Sequence, residues 1–277
     1  MLYVVSGPCD ETTLVGVRVM KLSIFSPYGQ LHKESGIAYL VANYLTRSGA
    51  EVAVLRCDGA VPACGRDRNG STVRTPFQCA RCVNEQQSLA SWAGGRIRDI
   101  SADTAAEDVL KTAQWLRSVA TQDLYRVEFR GVNVWSACRA EFGARWEDVD
   151  VSRLSAAQER DLRALFSSYV RICVASERFF ELYKPSICFA TSVSDPLTRG
   201  FVSQAQVAGV DVAVFSYDAD EELVTVTSLN GERRYSTSLV LEGVSTMRPD
   251  PRTWSPEVTS VVHEVLTFLG YAPDRVI

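Results

Sequence analysis

The sequence predicts an α/β protein of the Rossmann-like, doubly wound kind, with a mainly parallel sheet. Three observations carry this expectation. Short apolar runs bounded by turn residues recur at Lys21–Ser26 (KLSIFS), Glu51–Arg56 (EVAVLR), Ser186–Ala190 (SICFA) and Asp211–Tyr217 (DVAVFSY), the pattern of strands buried on both faces. Segments with apolar residues at helical spacing separate them, so strand, helix and strand repeat as βαβ units with the usual right-handed crossover. Composition agrees: 277 residues with 46% hydrophobic and 22% charged content suit one large domain or two modest ones.

KLSIFS ends at Pro27, Tyr28 and Gly29, a turn. From Glu34 to Ser48 the residues Ile37, Leu40, Val41, Tyr44 and Leu45 share a helical face, and Gly49 supplies the stop before EVAVLR. Cys57 to Val83 is polar, glycine-bearing and without period, long for a structureless loop, so something is expected to hold it. Helical patterns follow at Glu85–Trp92, Ala105–Val119 and Ala156–Leu182, the last ended by Lys184 and Pro185. Pro196–Val207 reads as a helix stopped by Gly209. Glu222–Ser228 and Arg233–Leu241 then alternate around Asn230-Gly231, a strong hairpin signal, and Pro256–Leu269 reads as a final helix. The expected organisation is an N-terminal extension at 1–20, a Rossmann-like domain at 21–220 with a metal loop at 57–83, and a C-terminal hairpin and helix at 221–277.

A net charge of −4 offers no global positive field for a nucleic acid backbone, so nucleic acid is not an expected partner. Asp10 and Glu11 interrupt any N-terminal secretory pattern, and no window is apolar for about 18 residues. A cytoplasmic protein without a transmembrane segment is expected.

Eight cysteines occur, and Cys57, Cys64, Cys79 and Cys82 fall in one window as C-x6-C-x14-C-x2-C. A Cys-x2-Cys pair places two thiolates close enough to share one metal, and two more would complete a tetrahedron. Such a closed site would be structural, holding zinc or, with the same ligands, an iron-sulfur cluster. Unrelated thiols or disulfides are the plainer alternative. Cys173 and Cys188 read as small buried hydrophobes.

In a doubly wound sheet ligands bind outside the carboxyl ends of the strands. Three stretches converge there: Tyr28–Ser35, Cys57–Gly59 and Thr191–Asp195. His32 and Glu34, just before a helix, are candidate catalytic groups, a place where a base could be exposed and helix amides favour an anion. The alternative is that they only start and solvate the helix. Gly29, Ser35, Asp58, Thr191 and Asp195 are candidate substrate-binding residues, although Asp58 could equally brace the cysteine loop. Phe129–Trp146, with Arg130, Trp135, Arg139, Arg145 and Trp146, could stack on sugars and grip phosphates, or simply fill a gap between layers. His263 is expected on the surface of the last helix.

Pro27–Gly49 (PYGQLHKESGIAYLVANYLTRSG) followed by EVAVLRCDGAVPAC resembles the N-terminal, acceptor-side half of GT-B glycosyltransferase-like proteins of bacterial surface and capsular polysaccharide synthesis. Weaker likeness extends through Tyr169–Ala190 and Pro196–Tyr217. The resemblance implies a sugar or lipid-linked glycan acceptor, and a nucleotide-sugar donor bound by a second domain or partner subunit. It makes the chain an acceptor-side domain or half enzyme of glycosyl transfer. The other reading is a non-catalytic, metal-stabilised binding or assembly module that needs a partner.

Overall fold

The computed structural model describes residues 19–28, 33–65, 76–146, 149–191, 193, 195–218, 223–229, 233–238 and 256–271. One seven-stranded sheet organises them. Strands β1 (Lys21–Phe25), β2 (Glu51–Arg56), β3 (Arg96–Asp99), β6 (Ile187–Thr191) and β7 (Asp211–Asp218) are parallel, while β8 (Leu223–Ser228) and β9 (Arg233–Ser238) continue the sheet antiparallel. The order is β3-β2-β1-β6-β7-β8-β9, and the short β4 (Glu128–Phe129) and β5 (Val132–Asn133) form a separate hairpin. All four apolar runs are therefore neighbours in one sheet, as the sequence predicts.

Alternation along the strands builds two cores. Leu22 and Ile24, Val52 and Val54, Ile187 and Phe189, and Ala213 and Phe215 face α1 (Lys33–Arg47) and α7 (Pro256–Phe268). Phe25, Ala53 with Leu55, Cys188 with Ala190, and Val212 with Val214 face α5 (Ala156–Tyr183) and α6 (Pro196–Val207). Helices thus cover both faces, which parallel strands require. The amino-terminal half of α5 turns Leu162, Leu165, Phe166, Tyr169 and Val170 to a third core shared with α3 (Ala106–Ser118) and α4 (Val134–Arg145). That helical layer overhangs the carboxyl end of the sheet's centre.

Local chemistry sets the ends of these elements. Ser155 Oγ accepts from the Gln158 amide while Gln158 Oε1 accepts from the Ser155 amide, a reciprocal cap that starts α5. Lys184, left-handed at φ 49°, and Pro185 end it. Asp195 caps α6 ahead of Pro196, a favoured first helical residue. Cys173 and Cys188 are buried as expected, and the Ser23 hydroxyl donates to the Cys188 sulfur at 2.8 Å.

Two expectations change. The helix predicted at Glu85–Trp92 is longer, α2 at Pro76–Trp92, so Cys79 and Cys82 lie on a helix and not on loose chain. His263 is half-buried, with its ring edge-on to Tyr44 and Nε2 3.1 Å from the Tyr44 hydroxyl. Tyr44 gives it a partner that the helical pattern alone does not reveal. Among the described residues no helix is long and apolar enough to cross a membrane. The Asn230-Gly231 turn, Cys9 and most of the 1–20 extension lie outside the described residues.

Candidate functional site

After β1 the chain continues into α1 on one face of the sheet, and after β6 into α6 on the other. From these adjacent parallel strands the order runs outward in opposite directions, to β2 and β3 on one side and to β7 on the other. The loops at their carboxyl ends therefore part, which is where open α/β sheets have their ligand crevice. Ser26 to Tyr28 follow β1 on one side of it, and Thr191, Val193 and Asp195 follow β6 on the other. The chain after β2, residues 57 to 65, forms a wall.

A buried polar chain lies beneath that crevice. The Gly65 amide donates to the Tyr28 hydroxyl at 3.2 Å. A Cβ at Gly65 would stand 2.9 Å from that hydroxyl and 3.3 Å from Glu141 Oε2, so only glycine lets these groups meet. Arg145, 4% exposed, pairs with Glu141 at 3.2 Å and Asp161 at 2.9 Å, and donates to the Cys64 carbonyl at 2.7 Å. Trp146 Nε1 donates to the second Asp161 oxygen at 3.0 Å. On the other side Asp195 accepts from the Leu197 and Thr198 amides and from the Thr198 hydroxyl.

Burial and charge act together here. Burial pushes the Tyr28 phenol well above its ordinary value, and the Asp195, Cys64 and Glu141 charges push it further the same way. Tyr28 thus stays a neutral hydrogen-bonding group. Burial also raises the Asp195 carboxyl, while its bonds to Thr198, Leu197 and Tyr28 pull part of that shift back.

Of the expected site residues, Ser35 lies buried in the first turn of α1, Thr191 stands at the end of β6, and Asp58 accepts from the Ser101 amide at 3.4 Å. Asp195 is at the crevice, but its carboxylate turns inward to cap α6. Gly29 and His32 lie outside the described residues, and of Glu34 only the helical backbone is described. Tyr28 lies in the stretch expected there but was given no role, and Glu141 and Asp161 were not expected in the site. A charged residue within a helical segment reads as solvated, yet Glu141 and Arg145 at i,i+4, next to Trp146, carry a detectable signal of a buried pair.

The Phe129–Trp146 segment does not present a sugar- and phosphate-binding face. Arg145 and Trp146 point into the buried chain, Trp135 packs against Phe142, and Arg130 pairs with Glu177. Arg139 is exposed.

The metal loop is also corrected. Among the described residues no group of three or more His, Cys, Asp or Glu side chains is arranged to hold a metal ion. The seven described cysteines are thiols. Side chains do the holding expected of a metal. Gln86 bonds both the amide and the carbonyl of Cys57 at 3.1 Å, Arg171 donates to the Ala60 carbonyl, Ser168 accepts from the Ala63 amide, and Arg145 holds the Cys64 carbonyl. These backbone groups thus find side-chain partners, which is what buried chain requires. Four thiols are the ligand set that zinc or an iron-sulfur cluster takes, but the described residues do not bring three of them together to hold one.

One other concavity is an open groove of about 400 Å³ along α2, lined by Phe77, Ala80, Arg81, Asn84, Glu85 and Ser88. It lies on the helix's outer face, apart from the crevice.

No protein-family model and no curated protein matches the sequence. Among solved structures the fold is similar to tyrosyl-tRNA synthetase from Archaeoglobus fulgidus complexed with L-tyrosine, at 12% identity and a TM-score of 0.35, covering 69% of this chain and 50% of that one. It is also similar to AlbC, a cyclodipeptide synthase from Streptomyces noursei, at 11% identity and a TM-score of 0.36, covering 67% of this chain and 88% of that one. The match spans half the length of the synthetase. These findings correct the GT-B resemblance and the glycosyl-transfer reading that rested on it. The short sequence stretches behind that resemblance, a turn, a helix and a strand ending in Cys-Asp-Gly, are compatible with any doubly wound sheet. The sheet order itself shows the fold and no more: an α/β protein with a Rossmann-like, mostly parallel mixed sheet.

Proposed function

We propose that the chain is a small-molecule-binding domain that takes a polar ligand in the crevice between the carboxyl ends of β1 and β6. The observation that carries this is the switch in direction there: α1 and α6 leave adjacent strands toward opposite faces, which in open α/β sheets opens the ligand crevice. The polar groups around it support the reading. Ser26 Oγ donates to the Tyr28 carbonyl and the Tyr28 hydroxyl bonds the Asp195 carboxyl, and a few convergent polar groups in an apolar frame are the usual composition of such sites. Arg145, the buried cation beneath, spends its guanidinium on Glu141, Asp161 and Cys64. The described groups therefore suit a ligand that brings hydrogen-bond donors. Gly29 and Ser35 on the β1 side, and Asp58 on the wall, are the further residues proposed to border it, with His32 and Glu34 at the start of α1.

A fragment screen followed by amide chemical shifts tests the site without presuming the ligand. Hits should cluster on residues 26–28, 57–65 and 191–195, and Tyr28→Phe should weaken them while the amide spectrum elsewhere keeps its pattern. Hits that gather on the α2 groove, or that ignore Tyr28→Phe, would overturn the proposal.

A further inference from the structure

Tyr39 lies in the second turn of α1 and is fully enclosed in the core that α1 shares with α7. A large side chain on a helix points back toward the helix's amino end, and α1, which follows β1 in a parallel sheet, has that end at the carboxyl edge of β1. The alternation that turns Leu22 and Ile24 to this face of the sheet turns Ser26 the same way. The two hydroxyls thus come near each other where β1 ends. Burial pushes the Tyr39 phenol up, and the Ser26 side chain draws part of that shift back. Yet among the described residues the Tyr39 hydroxyl makes no well-formed hydrogen bond. The buried Ser26 hydroxyl spends its proton on the Tyr28 carbonyl at 3.4 Å.

A hydroxyl enclosed without a partner is costly, and folded proteins keep few of them. Phenylalanine would fill the same space without that cost. We infer that Tyr39 and Ser26 form a subsite on the α1 side of the crevice, which takes a hydroxyl group of a neutral ligand. This subsite rests on the crevice proposed above and gives its ligand a chemical class.

The two side chains select the group between them. Tyr39 has a proton to donate, so the ligand must present a lone pair. Burying an anion among apolar side chains costs far more than burying a neutral oxygen, and the enclosed Arg145 guanidinium is already held by Glu141, Asp161 and the Cys64 carbonyl. A carboxylate or phosphate is therefore disfavoured. Ser26 Oγ, its proton given to Tyr28, offers a lone pair and takes a donor. A ligand hydroxyl satisfies both, accepting from Tyr39 and donating to Ser26, whereas a carbonyl satisfies Tyr39 alone.

The test uses the whole chain and probes that share a phenyl scaffold: 1-phenylethanol, acetophenone and benzoate, each titrated while amide chemical shifts are followed. The alcohol is expected to bind most tightly, with shifts at Ser26 and Tyr39. Tyr39→Phe should weaken the alcohol and the ketone by about fivefold, the worth of one neutral hydrogen bond. Its thermal midpoint should stay the same or rise, because an unsatisfied buried group is removed. Ser26→Ala should weaken the alcohol and spare the ketone. A midpoint that falls in Tyr39→Phe would mean that Ser26 or a water already serves the hydroxyl in the free protein, and would overturn the subsite. Equal affinity for the probes, preference for benzoate, or indifference to both variants, with shifts still on residues 26–28 and 191–195, would overturn the subsite and leave the crevice standing. Shifts confined to other surfaces, or none from any probe, would overturn both.

Discussion

Arg145→Met removes the cation at the centre of the buried polar chain while leaving a side chain of similar length. The variant loses bonds from Nε and NH2 to Glu141, from NH1 to Asp161 and from NH2 to the Cys64 carbonyl. Glu141 and Asp161, 5% and 2% exposed at their side chains, then lose the charge of Arg145. Removing one partner of a buried ion pair costs about 3 to 5 kcal/mol, because the stranded charge keeps its desolvation penalty. For a domain stable by about 5 to 15 kcal/mol this is a large share. At roughly 2 to 4 °C per kcal/mol for a chain approaching this size, the midpoint should fall by on the order of 10 °C. Urea unfolding followed by tryptophan fluorescence suits the measurement, since Trp146 is bonded to Asp161. The further variant Arg145→Met with Glu141→Gln and Asp161→Asn should recover much of the loss, because neutral partners carry no stranded charge. A loss under about 1 kcal/mol for Arg145→Met would mean that solvent reaches the network, against the burial argued from the structure.

Three further outcomes follow from particular contacts. Asp195 has a raised folded-state carboxyl, so between the ordinary aspartate value near 3.9 and that higher value the folded chain holds more proton than the unfolded one, and stability falls as pH rises through that window. Asp195→Asn, which keeps an oxygen for the Leu197 and Thr198 amides, should flatten that slope in urea titrations from pH 3 upward; an unchanged slope would assign it to other groups. Gly200→Ala would press a methyl to 3.2 Å from Ile172 Cγ2 and from the Tyr169 carbonyl, where α5 and α6 pack closely, and should cost about 1 to 3 kcal/mol in denaturant unfolding; a neutral result would show that the two helices separate easily. Gly65→Ala should displace the Tyr28 ring and weaken fragment binding at the crevice more than it lowers the thermal midpoint, and equal loss of both would make Gly65 a packing residue only.

Much of the fold was legible because parallel strands buried on both faces read as unbroken apolar runs, which is how β1, β2, β6 and β7 stand out. β3 did not, since its Arg-Ile-Arg-Asp sequence lies at the sheet edge and two of its four residues are exposed. The amino-terminal turns of α2 were hidden for a different reason. Cys79 and Cys82 carry a spacing that suits a metal loop as well as one helical turn, and the helix around them is mostly polar. The strand ends of β1 and β6, beside which the crevice is proposed, were legible because strand ends and turn residues are local signals. The buried network was not, since Glu141, Arg145 and Asp161 lie in two helices that meet only through the third core. Nothing in local periodicity says that a charged side chain on one helix will face its partner on another.

The central claim is that the switch between β1 and β6 is a ligand site, and a crystal structure grown with the tightest fragment hit tests it most directly. The account predicts ligand density between Ser26 and Thr191, within hydrogen-bond reach of Tyr28 and against the chain of residues 57 to 65. Density in the α2 groove beside Phe77 and Arg81, with the crevice closed over by its own side chains, would contradict it.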